Sequence, residues 1–268
     1  MLSPLLLGLG FFLYSLSSAL ITVNQIKLPE NVTEVNMKMD NYEIHEVDGD
    51  TNTIKWDLKA AFASADPKER SARVNDPNFI YFKEGKKFFE ISAREAFVSQ
   101  GNKAIEFYGN VDLKTENEEF KVKSGYLKFS ESKDFIELGK SFSMVKSDST
   151  RLESMSAKIQ KDFSTIHAKD SVSLENNANE PVLMLADSMF IRGDGSMQAD
   201  DNVKVKTKNL ECFSKSLEVL SDFDKDPSVA IFKGEPYLIS DGQKIFADII
   251  KYDFGTQTAS IEGNVHSE

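Results

Sequence analysis

The chain has 268 residues, a formal net charge of −11, 40% apolar residues and a single cysteine, Cys212. One cysteine excludes an intramolecular disulfide, and an acidic chain without a Lys/Arg cluster argues against nucleic acid, whose phosphates need grouped cations. The length fits one domain or two.

The first segment, Met1 to Val23, carries no charged residue. About 20 apolar residues span a bilayer core as a helix, so residues 1–23 read as an uncleaved inner-membrane transmembrane anchor. A signal peptide cut near Ala19 is the competing reading, since Ser17 and Ala19 are small residues placed as at a cleavage site. The first charge is Lys27, on the far side, which gives the positive-inside rule little to work on. Either reading exports the rest of the chain, with residues 24–34 as a linker.

Beyond Lys27, polar and apolar residues alternate and helical periodicity is scarce. A first hairpin is expected from Val35 to Trp56, turning at VDGD (47–50). Seven octamers then align: LKAAFASA (58–65), ISAREAFV (91–98), VKSGYLKF (122–129), LESMSAKI (152–159), MLADSMFI (184–191), CFSKSLEV (212–219) and IFADIIKY (245–252). Positions one, six and eight are always apolar, and position three is always Ala or Ser. The small residues Ala60, Ala93, Ser124, Ser154, Ala186, Ser214 and Ala247 are spaced by 33, 31, 30, 32, 28 and 33. Side chains alternate along a strand, so the odd step from position three to six flips the inward parity once. That flip requires a bulge or sharp bend, and a small side chain there leaves room for the neighbouring strand. Each octamer is therefore expected to be one strand turning a corner.

After each octamer comes an alternating nonamer with a turn residue at its middle: RVNDPNFIY (73–81), IEFYGNVDL (105–113), IELGKSFSM (136–144), IHAKDSVSL (166–174), MQADDNVKV (197–205), IFKGEPYLI (231–239) and ASIEGNVHS (259–267). Gly109, Gly139, Gly234 and Gly263 occupy four of the middles, where glycine marks a kink. A period near thirty, used seven times, predicts one stacked repeat domain.

Within Ile105 to Leu113, Ile105, Phe107, Val111 and Leu113 face one side and Glu106, Tyr108, Asn110 and Asp112 the other. With no amphipathic helix to cover the apolar face, the sheet must fold onto itself. Periodicity leaves two interiors open: an ordinary packed core, or a groove for lipid chains. Leu185, Phe213 and Phe246 interrupt the polar face and predict a covered surface in the C-terminal half. The last nonamer keeps the repeat pattern, so its edge, with Ile261, Gly263 and Val265, is expected to receive a partner strand.

Catalytic and metal motifs are missing from the sequence. His45, His167 and His266 do not form a metal-spaced cluster, giving no metal and no cofactor. Asp222, Asp224 and Asp226 begin like a calcium loop, but Pro227 stands in the glycine position and Lys233 replaces the closing glutamate. Asp48, Asp50 and Asp194 read as turn residues. No G-x-S-x-G, HExxH or phosphate-binding glycine loop occurs. The rival classes are an outer-membrane β-barrel, a structural adaptor with a packed core, and a β-helical carbohydrate enzyme.

The run from Trp56 to Lys114, with WDLKA, NDPNFIYFKEGKKFFEISAREAF and IEFYGNVDL, resembles the membrane-anchored LptC component of the bacterial lipopolysaccharide export bridge. The likeness continues through FKVKSGYLKFS and FIELGKSF. Beyond about Leu152 the repeats are more similar to the LptA/OstA type of the same system. The resemblance implies an all-β fold: an elongated open β-jellyroll of bent antiparallel strands preceded by one N-terminal transmembrane helix. Residues 35–145 would form an LptC-like part and residues 146–268 LptA/OstA-like repeats continuing the same jellyroll. It implies a non-enzymatic periplasmic carrier of lipopolysaccharide, anchored in the inner membrane or released by cleavage near Ala19. Phe89, Ile91, Val98, Ile105, Phe107, Val111, Phe120, Phe129 and Phe142 would line a groove for lipid A acyl chains. The implied partners are the inner-membrane export transporter at the N-terminal edge and a bridge jellyroll subunit at the C-terminal edge.

Overall fold

The structure is a computed structural model that describes residues 37–101, 103–147, 149–176, 181–221, 229–240 and 242–268. The expected transmembrane or signal segment, residues 1–23, and the linker lie outside the described residues, as does the aspartate run beginning at Asp222. Among the described residues, no helix is long and apolar enough to cross a membrane.

Among the described residues, 20 strands form one antiparallel sheet. It opens with the hairpin β1 (Met37–Val47) and β2 (Ile54–Asp66), whose turn is held by Asp48 accepting from the N–H groups of Asp50 and Thr51 at 2.9 and 3.0 Å. From β2 the ladder splits. Its start pairs with β4 (Asn78–Lys83) and its end with β3 (Ser71–Asn75). Next, β4 pairs β5 (Lys86–Ser92) and β3 pairs β6 (Glu95–Ser99); both then join the single strand β7 (Ala104–Thr115), β6 to its first half and β5 to its second.

The ladder continues through β8 (Phe120–Ser130), β9 (Phe135–Lys146), β10 (Thr150–Gln160), β11 (Thr165–Asn176), β12 (Val182–Arg192), β13 (Met197–Lys206) and β14 (Glu211–Leu220), each pairing with the next. At the far end it splits again. One branch runs β14–β16–β17–β20 (Tyr237–Ser240, Gln243–Phe246, His266–Ser267) and the other β14–β15–β18–β19 (Val229–Lys233, Ile249–Asp253, Thr258–Glu262). Every long strand thus serves two layers, one half in each, and crosses between them at a mid-strand corner. The first layer contains β4, β5, β16, β17 and β20; the second contains β3, β6, β15, β18 and β19.

The corners fall where the octamers place them. Register shifts occur at Ser124/Tyr126, Ser154/Ser156 and Leu185/Ser188, and Ser214 sits at the shift opposite Val203. Ala93 and Ala247 lie in the breaks between β5 and β6 and between β17 and β18, while Ala60 stands where β2 changes partner. The serines have a second task. Ser124 Oγ donates to the carbonyls of Tyr126 and Gly139 at 2.8 Å each, and Ser154 and Ser214 donate to Ser156 and Ser216, also at 2.8 Å. Carbonyls that the corner frees from the ladder are satisfied in this way.

Nonamer corners use a different device: residues in the left-handed region, usually in pairs. These are Gly109–Asn110, Lys140–Ser141, Asp170–Ser171, Asp201–Asn202 and Gly234–Glu235. Pro77, which cannot donate to a ladder, coincides with the break after β3. Hence three expected single strands (73–81, 231–239 and 259–267) and two octamers (91–98 and 245–252) are each two strands. One repeat element escaped the alignment: β1 reads apolar at Met37 and Met39, has left-handed Asn41 at its corner, and is apolar again at Tyr42 and Ile44.

The layers face one another across a continuous apolar interior. In the N-terminal half it is aromatic. Phe79 of the first layer meets Phe107 and Phe129 of the second at 5.7 and 4.9 Å, and Trp56 at 5.8 Å within its own layer. Burying one such ring is worth roughly 1.5–3 kcal/mol, and each ring pair about 0.5–1.5 kcal/mol more. In the C-terminal half small or flexible inward residues are more frequent, among them Ala168, Ala186, Met189, Met197, Ala199 and Cys212, beside the larger Leu217, Phe232, Ile250 and Tyr252.

Candidate functional site

Opposite the corners, the two layers present free margins, and the mouth between them holds two clefts. The larger, about 1000 Å³, lies toward the C-terminal half. Met144, Leu174, Val182 and Met184 from the first layer wall it on one side, and Ile166, Ile191, Met197 and Val219 from the second on the other. Polar groups sit at its rim, among them Glu119, Lys146, Asp162 and Arg192. The smaller cleft, about 920 Å³, lies in the N-terminal half against Trp56, Tyr81 and Phe129.

What divides the mouth is the turn after β10. Phe163 has a left-handed backbone, φ 61°, and yet is buried. A bulky residue in that region is uncommon and costs energy that its surroundings must return. The return comes from ring contacts: Phe163 stacks on Phe120 at 4.9 Å and meets Phe89 at 6.3 Å and Phe88 at 6.4 Å, all in the first layer. A second-layer turn is thereby strapped across the mouth. Its neighbour Asp162 accepts from Ser164 N at 3.0 Å and Ser164 Oγ at 2.6 Å, which holds its carboxyl below the usual range. Lys161, beside it, places its ammonium over the Phe129 ring at 4.5 Å and donates to Ser130 O at 2.8 Å. Burial pushes the Lys161 pKa down.

All nine expected lining residues point inward. Phe89, Ile91, Val98, Ile105, Phe107, Val111 and Phe142 are buried in the packed interior and line neither cleft. Phe120 lines the larger cleft and Phe129 the smaller. The sequence reading missed the larger cleft's own walls, which lie in β9–β14, and it missed Phe163. Its one available signal was an aromatic residue in an Asp-Phe-Ser turn.

At the expected partner edge, β19 pairs only with β18 and β20 only with β17, leaving the outer sides of both without a strand among the described residues. Ile261 is half-buried, whereas Gly263 and Val265 are exposed. Of the outward apolar residues Leu185, Phe213 and Phe246, the two phenylalanines lie in one aromatic row, which Leu185 does not join. Phe213, Tyr237, Phe246 and His266 stack in a row at 4.7, 5.3 and 5.0 Å, with Lys204 over Phe213.

The architecture is an all-β antiparallel sheet folded into two layers, with an apolar cleft between their margins. The sequence matches the family model described as lipopolysaccharide-assembly, LptC-related, over residues 4–138, just over half of the 268 residues. The chain belongs to that family. No curated protein matches it. Thirteen chains of solved structures do. One is LptH of Pseudomonas aeruginosa, described as the LptA homologous periplasmic component of a lipopolysaccharide transport device. It is 8% identical, the match covers 67% of this chain and 93% of that one, and the TM-score is 0.24.

Proposed function

We propose that the protein carries lipopolysaccharide between the membranes as a bridge component, with the lipid's acyl chains held in the cleft between the two layer margins. The observation that carries this reading is a cleft of about 1000 Å³ with apolar walls and a polar rim, open along the mouth, in a chain of the LptC-related family. Exposing an acyl chain to water costs about 0.8 kcal/mol per CH₂, so a multi-chain lipid needs such a wall wherever it crosses an aqueous space. Residues 1–23 serve as the inner-membrane anchor in this reading, and residues 37–268 face the periplasm. The N-terminal edge meets the export transporter. The β19/β20 edge, with Ile261, Gly263 and Val265, receives the next jellyroll of the bridge by strand addition. Residues 35–145 act as the LptC-like part and residues 146–268 extend the same sheet as LptA/OstA-like repeats. The role is transport rather than catalysis.

A photo-crosslinking amino acid at Met184, compared with Phe107, tests the cleft in energised membranes containing lipopolysaccharide. The expected result is a lipid adduct at Met184 and little or none at Phe107, which is packed among rings. Equal adducts at both would move the lipid into the interior named by the sequence resemblance. No adduct at either would leave a structural adaptor.

A further inference from the structure

The N-terminal hairpin carries a side-chain constellation that transport does not use. His45 of β1 lies directly across from Asp57 of β2, and Glu43 is two residues before His45 on the same strand face. One donor atom from each of the three falls within 4.8 Å of the others. Glu43 and His45 are exposed, while the Asp57 side chain retains 14% of its accessibility. Asp57 is also one of two side chains, with Trp56, that bury a polar atom without a partner among the described residues: its Oδ1 accepts no hydrogen bond. A buried carboxylate oxygen left bare is costly, so Asp57 carries an incompletely compensated negative charge beside Glu43 and His45.

We infer that Glu43, His45 and Asp57 form a site for a divalent transition-metal cation on the outer face of the β1/β2 hairpin. An imidazole with two carboxylates is a donor set suited to Zn²⁺ rather than to Ca²⁺, which takes oxygen ligands alone. Bonds of about 2.1 Å to a tetrahedral ion put neighbouring donors about 3.4 Å apart. The triad must therefore close by up to about 1.4 Å, a motion available to the exposed Glu43 and His45 side chains through rotamer change. A resident competitor occupies the position: Lys59 Nζ lies 3.1 Å from Glu43 Oε1 and 3.5 Å from Asp57 Oδ2. The metal would displace that ammonium and cross-link β1, whose outer side has no strand partner among the described residues, to β2. Sequence spacing could not show the site, because one ligand arrives from the opposite strand.

Isothermal titration of ZnCl₂ into the full chain in detergent micelles, free of chelating buffer, decides the matter. One Zn²⁺ per chain is expected. His45→Ala should weaken binding by more than about tenfold, and Lys59→Met should tighten it by about two- to fivefold, an effect that a merely structural lysine would not produce. His167→Ala, remote from the hairpin, should leave binding unchanged. The inference is overturned if the wild-type chain takes up no Zn²⁺ at millimolar metal, if His45→Ala binds as wild type, if Lys59→Met fails to tighten binding, or if Ca²⁺ binds as tightly as Zn²⁺.

Discussion

The N-terminal and C-terminal halves of the sheet share one repeat, one corner device and one strand order, and differ in what they put inside. The N-terminal half packs Trp56, Phe79, Phe89, Phe107 and Phe129 between its layers. The C-terminal half has fewer rings, Phe232 and Tyr252 among them, and more alanine, valine and methionine, and the larger cleft opens there. Side-chain volume at inward positions sets what each cleft is built against: rings beside the smaller one, about 920 Å³, and mainly methionine and branched aliphatic residues beside the larger, about 1000 Å³. Methionine suits the larger cleft, since its flexible thioether adapts to whatever lies beside it.

Removing a ring from the aromatic half should produce the largest effect. Phe79→Ala is expected to cost about 3–5 kcal/mol of stability in chemical denaturation. Met184→Ala should fall at or below the low end of the ~2–5 kcal/mol range for core truncations, because its site already borders open space. Equal losses would erase the distinction between halves. The corners, common to both, come next. A Cβ on Gly125 would stand 2.5 Å from Lys140 O, so Gly125→Ala should cost about 1–3 kcal/mol. Gly139→Ala meets only the Tyr126 ring at 3.6 Å and should be close to neutral. A smaller change, about 1 kcal/mol, is expected for Ser154→Ala, which leaves the Ser156 carbonyl without its donor.

The smallest effect is electrostatic and belongs to the C-terminal repeats. Burial first, then Lys169 and Lys158, lower the His167 pKa below its ordinary 6.5. The unfolded chain therefore takes up the proton first, so this residue makes stability fall as pH drops through 6.5. His167→Gln should flatten that part of the stability–pH curve, as measured by thermal unfolding from pH 7.5 to 5.5. Nearby, burial drives the Cys212 thiol up to about 12. The native protein should stay unreactive to thiol reagents at neutral pH and react only after unfolding.

Much of this architecture is legible in the chain because it is periodic. Ala60, Ala93, Ser124, Ser154, Ala186, Ser214 and Ala247 stand at the corners because a parity flip within an alternating strand has few physical solutions. The inward set, including Phe107 and Phe129, follows from the same alternation. Alternation cannot show which inward residues touch one another and which border space, because that depends on volumes across the two layers. The cleft therefore fell on Met184 and Ile166 rather than on Phe107. Phe163 was illegible for a related reason: a turn residue joins the interior only through contacts with Phe88, Phe89 and Phe120, some 40 to 75 positions earlier in the chain.

The corner row runs the length of the sheet as a crease, crossed by backbone hydrogen bonds such as Arg94 N to Gly109 O at 2.9 Å and Lys215 N to Gly234 O at 3.2 Å. Those bonds keep the spine intact but do little to fix the angle between the covers. Resistance to splaying therefore comes from the side chains between the layers, and it is graded along the spine. Ring pairs hold the covers together beside the smaller cleft, the Phe163 clasp separates the two clefts, and beyond it methionine and branched aliphatic side chains border the larger space between the leaves.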